Sequence, residues 1–152
     1  MKNDNMLKLN ARFLGLALMR FRNNYGDGVG ALFYHIGYNI GLLEGENIKS
    51  TRNTDIFEKE FFAKKIVDIL MERGFGRAIF TDINLLARCI RLRLYNSFEA
   101  GCYEKSDIPV CTFTRGYISG LIEGLTGFKI RSSREKTCMA TGSPYCEYEF
   151  YL

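Results

Sequence analysis

The chain has no tryptophan and a single histidine, His35. No acidic or nucleophilic partner for that histidine can be named, so a catalytic triad is not indicated. Internal repeats, low-complexity tracts and linkers are also missing. The longest apolar stretch near the start, residues 13–19, is flanked by Arg12 and Arg20 and is too short to cross a bilayer. The cysteines number five, an odd count without a cleavable signal, so reduced thiols and a cytoplasmic setting are expected. A formal charge of +4 comes without a helix-turn-helix, RNP or similar motif, so no direct nucleic-acid partner is expected. The basic residues Lys2, Lys8, Arg12, Arg20 and Arg22 face only Asp4 and read as a solvated helix face.

What is present is aromatic and apolar, with nine tyrosines and twelve phenylalanines. A chain of 152 residues can bury about 70% of its unfolded surface, enough for a single domain over residues 1–152 with one core. Leu9, Phe13, Leu16 and Met19 recur at helical spacing and predict an amphipathic helix over 7–24, whose exposed seam suits a dimer partner. A glycine-rich break follows, then a second helix to Glu46. In that helix Gly37, Gly41 and Gly45 repeat every four residues and leave a groove for another backbone. The capping pair Asp55 and Glu58 opens a third helix, with Phe62, Ile66, Ile69 and Leu70 on one face and Gly74 at its end. Strands are predicted at 78–80, 88–95, 128–132 and 146–151, and a fourth helix at 109–125. Helices and antiparallel strands in separate blocks give an α+β fold.

The chemistry concentrates near the C-terminus in Cys111, Glu135, Cys138 and Cys146. Three thiolates and a carboxylate form a set that suits closed tetrahedral zinc, a structural rather than catalytic arrangement. Cys111 follows Ser106-Asp107-Ile108-Pro109, a helix-start signature, which places its sulfur where the thiolate is favoured. Thr141-Gly142-Ser143-Pro144 is turn chemistry that returns Cys146 toward Cys138. Arg131, Arg134 and Lys136 are placed to offset the negative charge. Ordinary buried thiols are the alternative, since no paired Cys-x-x-Cys pattern is present. Cys89 and Cys102 read as structural.

The pattern Glu-x-x-Cys, a glycine-containing turn, Cys and an alternating aromatic strand resembles the 4-vinyl reductase domain family. The text from Leu32 to Gly41 resembles that family's Gly-Tyr-x-x-Gly helix. The resemblance runs from about residue 27 to the end, leaving residues 1–26 as an N-terminal helical extension. It implies a ligand-binding fold shared by NO-signalling and Golgi-transport proteins, an antiparallel sheet packed with helices. It further implies zinc on Cys111, Glu135, Cys138 and Cys146, as in the family's aromatic-sensing members.

Phe33, Tyr34, His35, Tyr38, Tyr95, Phe98, Phe113 and Tyr117 lie in segments expected to wall a pocket for a small hydrophobic or aromatic ligand; core packing is the competing role for each. The resemblance favours a sensory module acting through a homodimer or a partner in trans. A reductase of a tetrapyrrole vinyl group is the enzymatic alternative. The run from Gly26 to Ala31 formally matches G-x-G-x-x-G/A, but residues before it read as a helix where a dinucleotide site needs a strand. An assembly or tethering scaffold is the third reading.

Overall fold

Asn10 starts the first helix by accepting the amide hydrogens of Arg12 at 2.9 Å and Phe13 at 3.3 Å. In the computed structural model, which describes residues 7–51 and 59–152, the helices are α1 (Ala11–Tyr25), α2 (Gly30–Thr51), α3 (Lys59–Glu72) and α4 (Thr112–Thr126). The strands are β1 (Arg77–Asn84), β2 (Cys89–Tyr95), β3 (Ser132–Thr137) and β4 (Cys146–Tyr151). They form one antiparallel sheet in the order β1-β2-β4-β3, so the architecture is α+β.

Residues 26–31 join α1 to α2 and follow a helix, so the glycine-rich match lacks the strand a dinucleotide site requires. The capping pair Asp55 and Glu58 lies outside the described residues, as do Lys2 and Asp4. Two boundaries differ from expectation. The third strand runs over Ser132–Thr137 and not 128–132: Gly127 ends α4 in the left-handed conformation, and Phe128 to Arg131 bridge the gap before pairing with β4 begins. The fourth helix begins at Thr112, three residues after Pro109, with Cys111 at its N-cap.

The glycines set the closest packing in the molecule. Methyl groups built on Gly37, Gly41 and Gly45 of α2 would collide with the backbone of α4 at Phe113, Tyr117 and Leu125. The converse holds for Gly116, Gly120 and Gly124 of α4, which meet the backbone at Tyr34, Tyr38 and Leu42. The contacts advance along both helices together, so α2 and α4 run parallel with backbones touching over several turns. α4 is buried on nearly every side, and Ile118, Leu121, Ile122 and Leu125 join Ile66, Leu70, Ile90 and Leu92 in the core.

On the sheet's inner face Cys146, Tyr148 and Phe150 of β4 alternate with outward Glu147 and Glu149. The two glutamates are nonetheless buried, because basic side chains of the flanking strands lie over them. Arg93 Nε meets Glu147 at 2.6 Å, while Arg91 Nε and Arg134 Nε reach Glu149 at 2.9 Å and 2.6 Å. Arg91 and Arg93 show the expected alternation with Ile90, Leu92 and Leu94.

Burial alone would push the Glu149 carboxyl up; the donors Tyr151, Arg134, Arg91 and Lys136 overcome it and hold it at about 2. A depressed folded value means stability that is present above the ordinary carboxylate range, about 4.3, and lost as pH falls toward 2. Glu149→Gln is therefore expected to flatten the acid limb of a stability–pH curve followed by circular dichroism. Gly120→Ala, whose methyl meets the Tyr38 carbonyl, is expected to cost about 3 kcal/mol in urea unfolding. Gly28→Ala, which meets nothing within 4 Å, should change stability by no more than about 0.5 kcal/mol.

Candidate metal centre and cavity

The four residues converge at the start of α4, where one ligand atom from each of Cys111, Glu135, Cys138 and Cys146 lies within 4.8 Å of all the others. The sulfurs are 3.7 Å apart for Cys111 and Cys146 and 4.0 Å for each of the other two pairs. Tetrahedral zinc with bonds of about 2.3 Å separates sulfurs by about 3.8 Å. A disulfide would bring two sulfurs to about 2.05 Å. The three sulfurs are fully buried.

Glu135 and Cys138 are three residues apart, a separation that places side chains on opposite faces of a regular strand. A β-bulge resolves the parity. Glu135 pairs with Tyr148 and Thr137 with Glu147, so two steps on β3 oppose one on β4 and both ligands turn inward. The same alternation sends Arg134 and Lys136 outward to Glu149, which corrects the expectation that they compensate charge at the cluster.

Glu135 Oε2 accepts the Cys111 amide hydrogen at 3.0 Å, but its Oε1 is buried without a hydrogen-bond partner among the described residues. The Tyr148 hydroxyl is likewise buried and unpartnered, and burial beside Cys111, Glu135 and Cys146 holds its pKa well up. Burial, with the neighbouring Cys138 charge, pushes Glu135 up to about 9. Hydrogen bonds from Cys111 and Cys146 hold Cys138 down at about 2, so it carries the thiolate that the other two stabilise. An orphaned carboxylate oxygen amid three converging sulfurs is the environment of a group that can hold a metal ion.

Cys111 occupies the N-cap of α4 without capping it by its side chain. Glu99 does so from the loop after β2. Its carboxylate accepts the amide hydrogens of Phe113 at 3.1 Å and Thr114 at 2.8 Å, and the Thr114 hydroxyl at 2.8 Å. Full burial nevertheless raises its pKa to about 7. Its neighbour Ser97 places its hydroxyl 3.5 Å from the Cys111 sulfur. From α1, Arg22 donates to the Val110 carbonyl at 3.1 Å and to Thr112 Oγ1 at 3.0 Å, and its guanidinium stands 5.9 Å from the Phe33 ring centre. Arg22 is thus buried and not part of a solvated face. Neither Glu99 nor Arg22 has a local motif to announce it; each acts on residues at least 14 positions away.

A cavity of about 530 Å³ adjoins this turn. Phe98, Phe113 and Tyr117 line it, together with Phe75, Leu14 and Ile40, and Glu44 and Arg73 form a polar end. Arg73 NH2 meets Glu44 Oε1 at 2.7 Å, and the Tyr117 hydroxyl donates to Glu44 Oε2. The other five pocket candidates lie elsewhere. Phe33 is buried in the core beside Arg22. Tyr34 reaches Ser133 at 3.3 Å, His35 is exposed against the Tyr34 ring, and Tyr38 bonds Glu123, burial and that carboxylate raising it to about 12. Tyr95 stacks between Arg77 and Tyr145. Helical spacing could have found Tyr117 beside Phe113 and Glu44 beside Ile40, each one turn on.

Residues 90–151 match the family model of the vinyl-4-reductase domain. The matched segment contains all four residues of the cluster, and the family resemblance read from the sequence is supported there. An uncharacterised protein of Methanocaldococcus jannaschii is 26% identical over 125 residues, 81% of this chain and 46% of that protein. The chain therefore spans less than half the length of that relative. The phenol-responsive sensory domain of the transcription activator PoxR, solved with phenol, superposes with a TM-score of 0.77 at 22% identity, over 96% of this chain and 76% of that one. A trafficking protein particle complex subunit 3 from Naegleria fowleri, covalently bound to palmitic acid, gives 0.66 at 14% identity over 96% of each chain. A vinyl-4-reductase family protein from Methanocaldococcus jannaschii gives 0.62 at 19%, over 96% and 83%. All share this fold.

Glu99→Ala removes the acceptor of three buried hydrogen bonds. It is expected to cost about 3 kcal/mol and to speed hydrogen exchange at the Phe113 and Thr114 amides.

Proposed function

We propose that this protein is a zinc-containing sensory domain, one unit over residues 1–152 with residues 1–26 as its extension, that binds a small hydrophobic or aromatic molecule and acts through a homodimer or a partner. The observation that carries the reading is the loop Ser97-Phe98-Glu99. Ser97 touches the Cys111 sulfur, Phe98 lines the cavity and Glu99 caps the helix that bears both. Occupancy of the cavity and order at the cluster therefore bear on the same helical turn, which is the physical requirement for coupling.

Zinc would be held by Cys111, Glu135, Cys138 and Cys146. With every position filled by protein it would supply folding free energy by tying the start of α4 to β3 and β4. The ligand would lie among Phe98, Phe113, Tyr117 and Phe75, with Tyr117 and Glu44 fixing its polar group. The remaining candidates, Phe33, Tyr34, His35, Tyr38 and Tyr95, would support the surrounding walls. Likeness to the PoxR sensory domain, solved with phenol, supports a small-molecule ligand.

The homodimer is supported by an apolar stripe on α2. Leu32, Ile36, Ile40 and Leu43 repeat along the side away from α4 and are exposed, with Phe13 and Phe21 of α1 also exposed. Ile40 belongs to both stripe and cavity wall, so a bound ligand would touch the dimer face. The five free cysteines support a reducing, cytoplasmic setting. Among the described residues, no helix is long and apolar enough to cross a membrane.

Native mass spectrometry with elemental analysis tests the reading. The expected result is a dimer with one zinc per chain, and an organic adduct in protein purified without ligand removal. Cys138→Ser and Cys146→Ser should each lose most of the metal and lower the melting temperature. Full zinc occupancy with unchanged melting in both variants would sink the assignment.

A further inference from the structure

The turn joining β1 to β2 is Asn84-Leu85-Leu86-Ala87-Arg88. Its geometry is set at its ends. Asn84 Oδ1 accepts the Ala87 amide hydrogen at 2.8 Å, and Arg88 takes a positive φ of 50°. The two leucines at the tip serve neither purpose. Leu86 is 100% exposed and Leu85 48% exposed, at a position where turn chemistry would select a polar residue.

Behind the tip lies a second cavity, about 360 Å³, lined by Leu85, Arg88, Phe128, Lys129, Arg131 and Leu152. Three cations line it and no carboxylate side chain does. Lys129 pairs with Glu123. Among the described residues, Arg88 and Arg131 have no carboxylate within ion-pair distance. Phe128, in the connection before β3, is 41% exposed on the same side. The arrangement is an apolar point with cations behind it.

We propose that this edge is a peripheral docking site for an anionic lipid bilayer. Leu85, Leu86 and Phe128 would enter the acyl boundary, and Arg88 and Arg131 would meet headgroup phosphates, with Lys129 at the rim. Charge complementarity assigns the anionic partner: two unpaired guanidiniums beside a tip without acidic residues. Shape assigns the bilayer. The leucines stand on a projecting tip and not in a groove; a fluid apolar phase admits such a point anywhere, whereas a protein partner must supply a matching pocket. The mode is attachment at the surface, which needs no membrane-spanning helix.

The test is co-sedimentation of the whole chain with phosphatidylcholine vesicles, with and without added phosphatidylserine. Partition onto the anionic vesicles only, weakening as salt rises, is expected. Leu86→Asp, at a fully exposed position, should abolish partition while leaving thermal melting unchanged. The pair Arg88→Asn and Arg131→Gln should lower the partition coefficient about thirtyfold, the effect of two basic contacts at a charged surface. Equal binding to both vesicle types, binding to neither, or undiminished partition by Leu86→Asp overturns the proposal. Release by inorganic phosphate at constant ionic strength would also overturn it, assigning the cations to a soluble anion.

Discussion

Backbone contact between α2 and α4 is the constraint on which the site depends. Six glycines, at 37, 41, 45, 116, 120 and 124, allow two parallel helices to approach until side chains no longer intervene. Such contact has little slack: a single methyl displaces one helix from the other. α4 carries Cys111 at its first turn and Phe113 and Tyr117 on its cavity side. The glycine seam thereby locates a metal ligand and a cavity wall with one packing interaction.

The start of α4 shows how chemistry redistributes work. A helix N-terminus requires an acceptor for its free amides, and the N-cap residue ordinarily supplies one. Here that residue is Cys111, whose sulfur faces two other cysteines. The acceptor comes instead from Glu99, and Arg22 secures the preceding carbonyl. Both are charged groups buried at sites where their hydrogen bonds offset part of the cost of leaving water.

Much of this was legible in the sequence because it is periodic. The β2 alternation, the apolar face of α3 and the glycine repeat of α2 each follow from the geometry of a single element. The cluster could be named because its residue types are rare and close in number. The features that escaped need two elements at once. Gly116, Gly120 and Gly124 have meaning only against α2. Arg22 reads as a surface charge until Val110 is brought over it, and Glu99 has no local partner. The bulge at Lys136 is a property of pairing with β4, and without it Arg134 and Lys136 were assigned to the wrong face. The pocket residues divide for the same reason. Phe98, Phe113 and Tyr117 meet at the cavity, while Tyr34 and Tyr38 lie against Ser133 and Glu123.

The strand order has a consequence for biogenesis. β2 and β3 are neighbours in sequence among the strands, yet each pairs with β4 and not with the other. The element between them is the last of those described to leave the ribosome. Until residues 146–151 emerge, the sheet lacks its middle and the cluster lacks Cys146. An incomplete chain can form its helices and the β1–β2 hairpin, but it cannot close the core, so final folding waits for synthesis of β4. A nascent chain stalled before that point would expose the inner face of β2 and the apolar surface of α4 together, making it a substrate for chaperones and proteases.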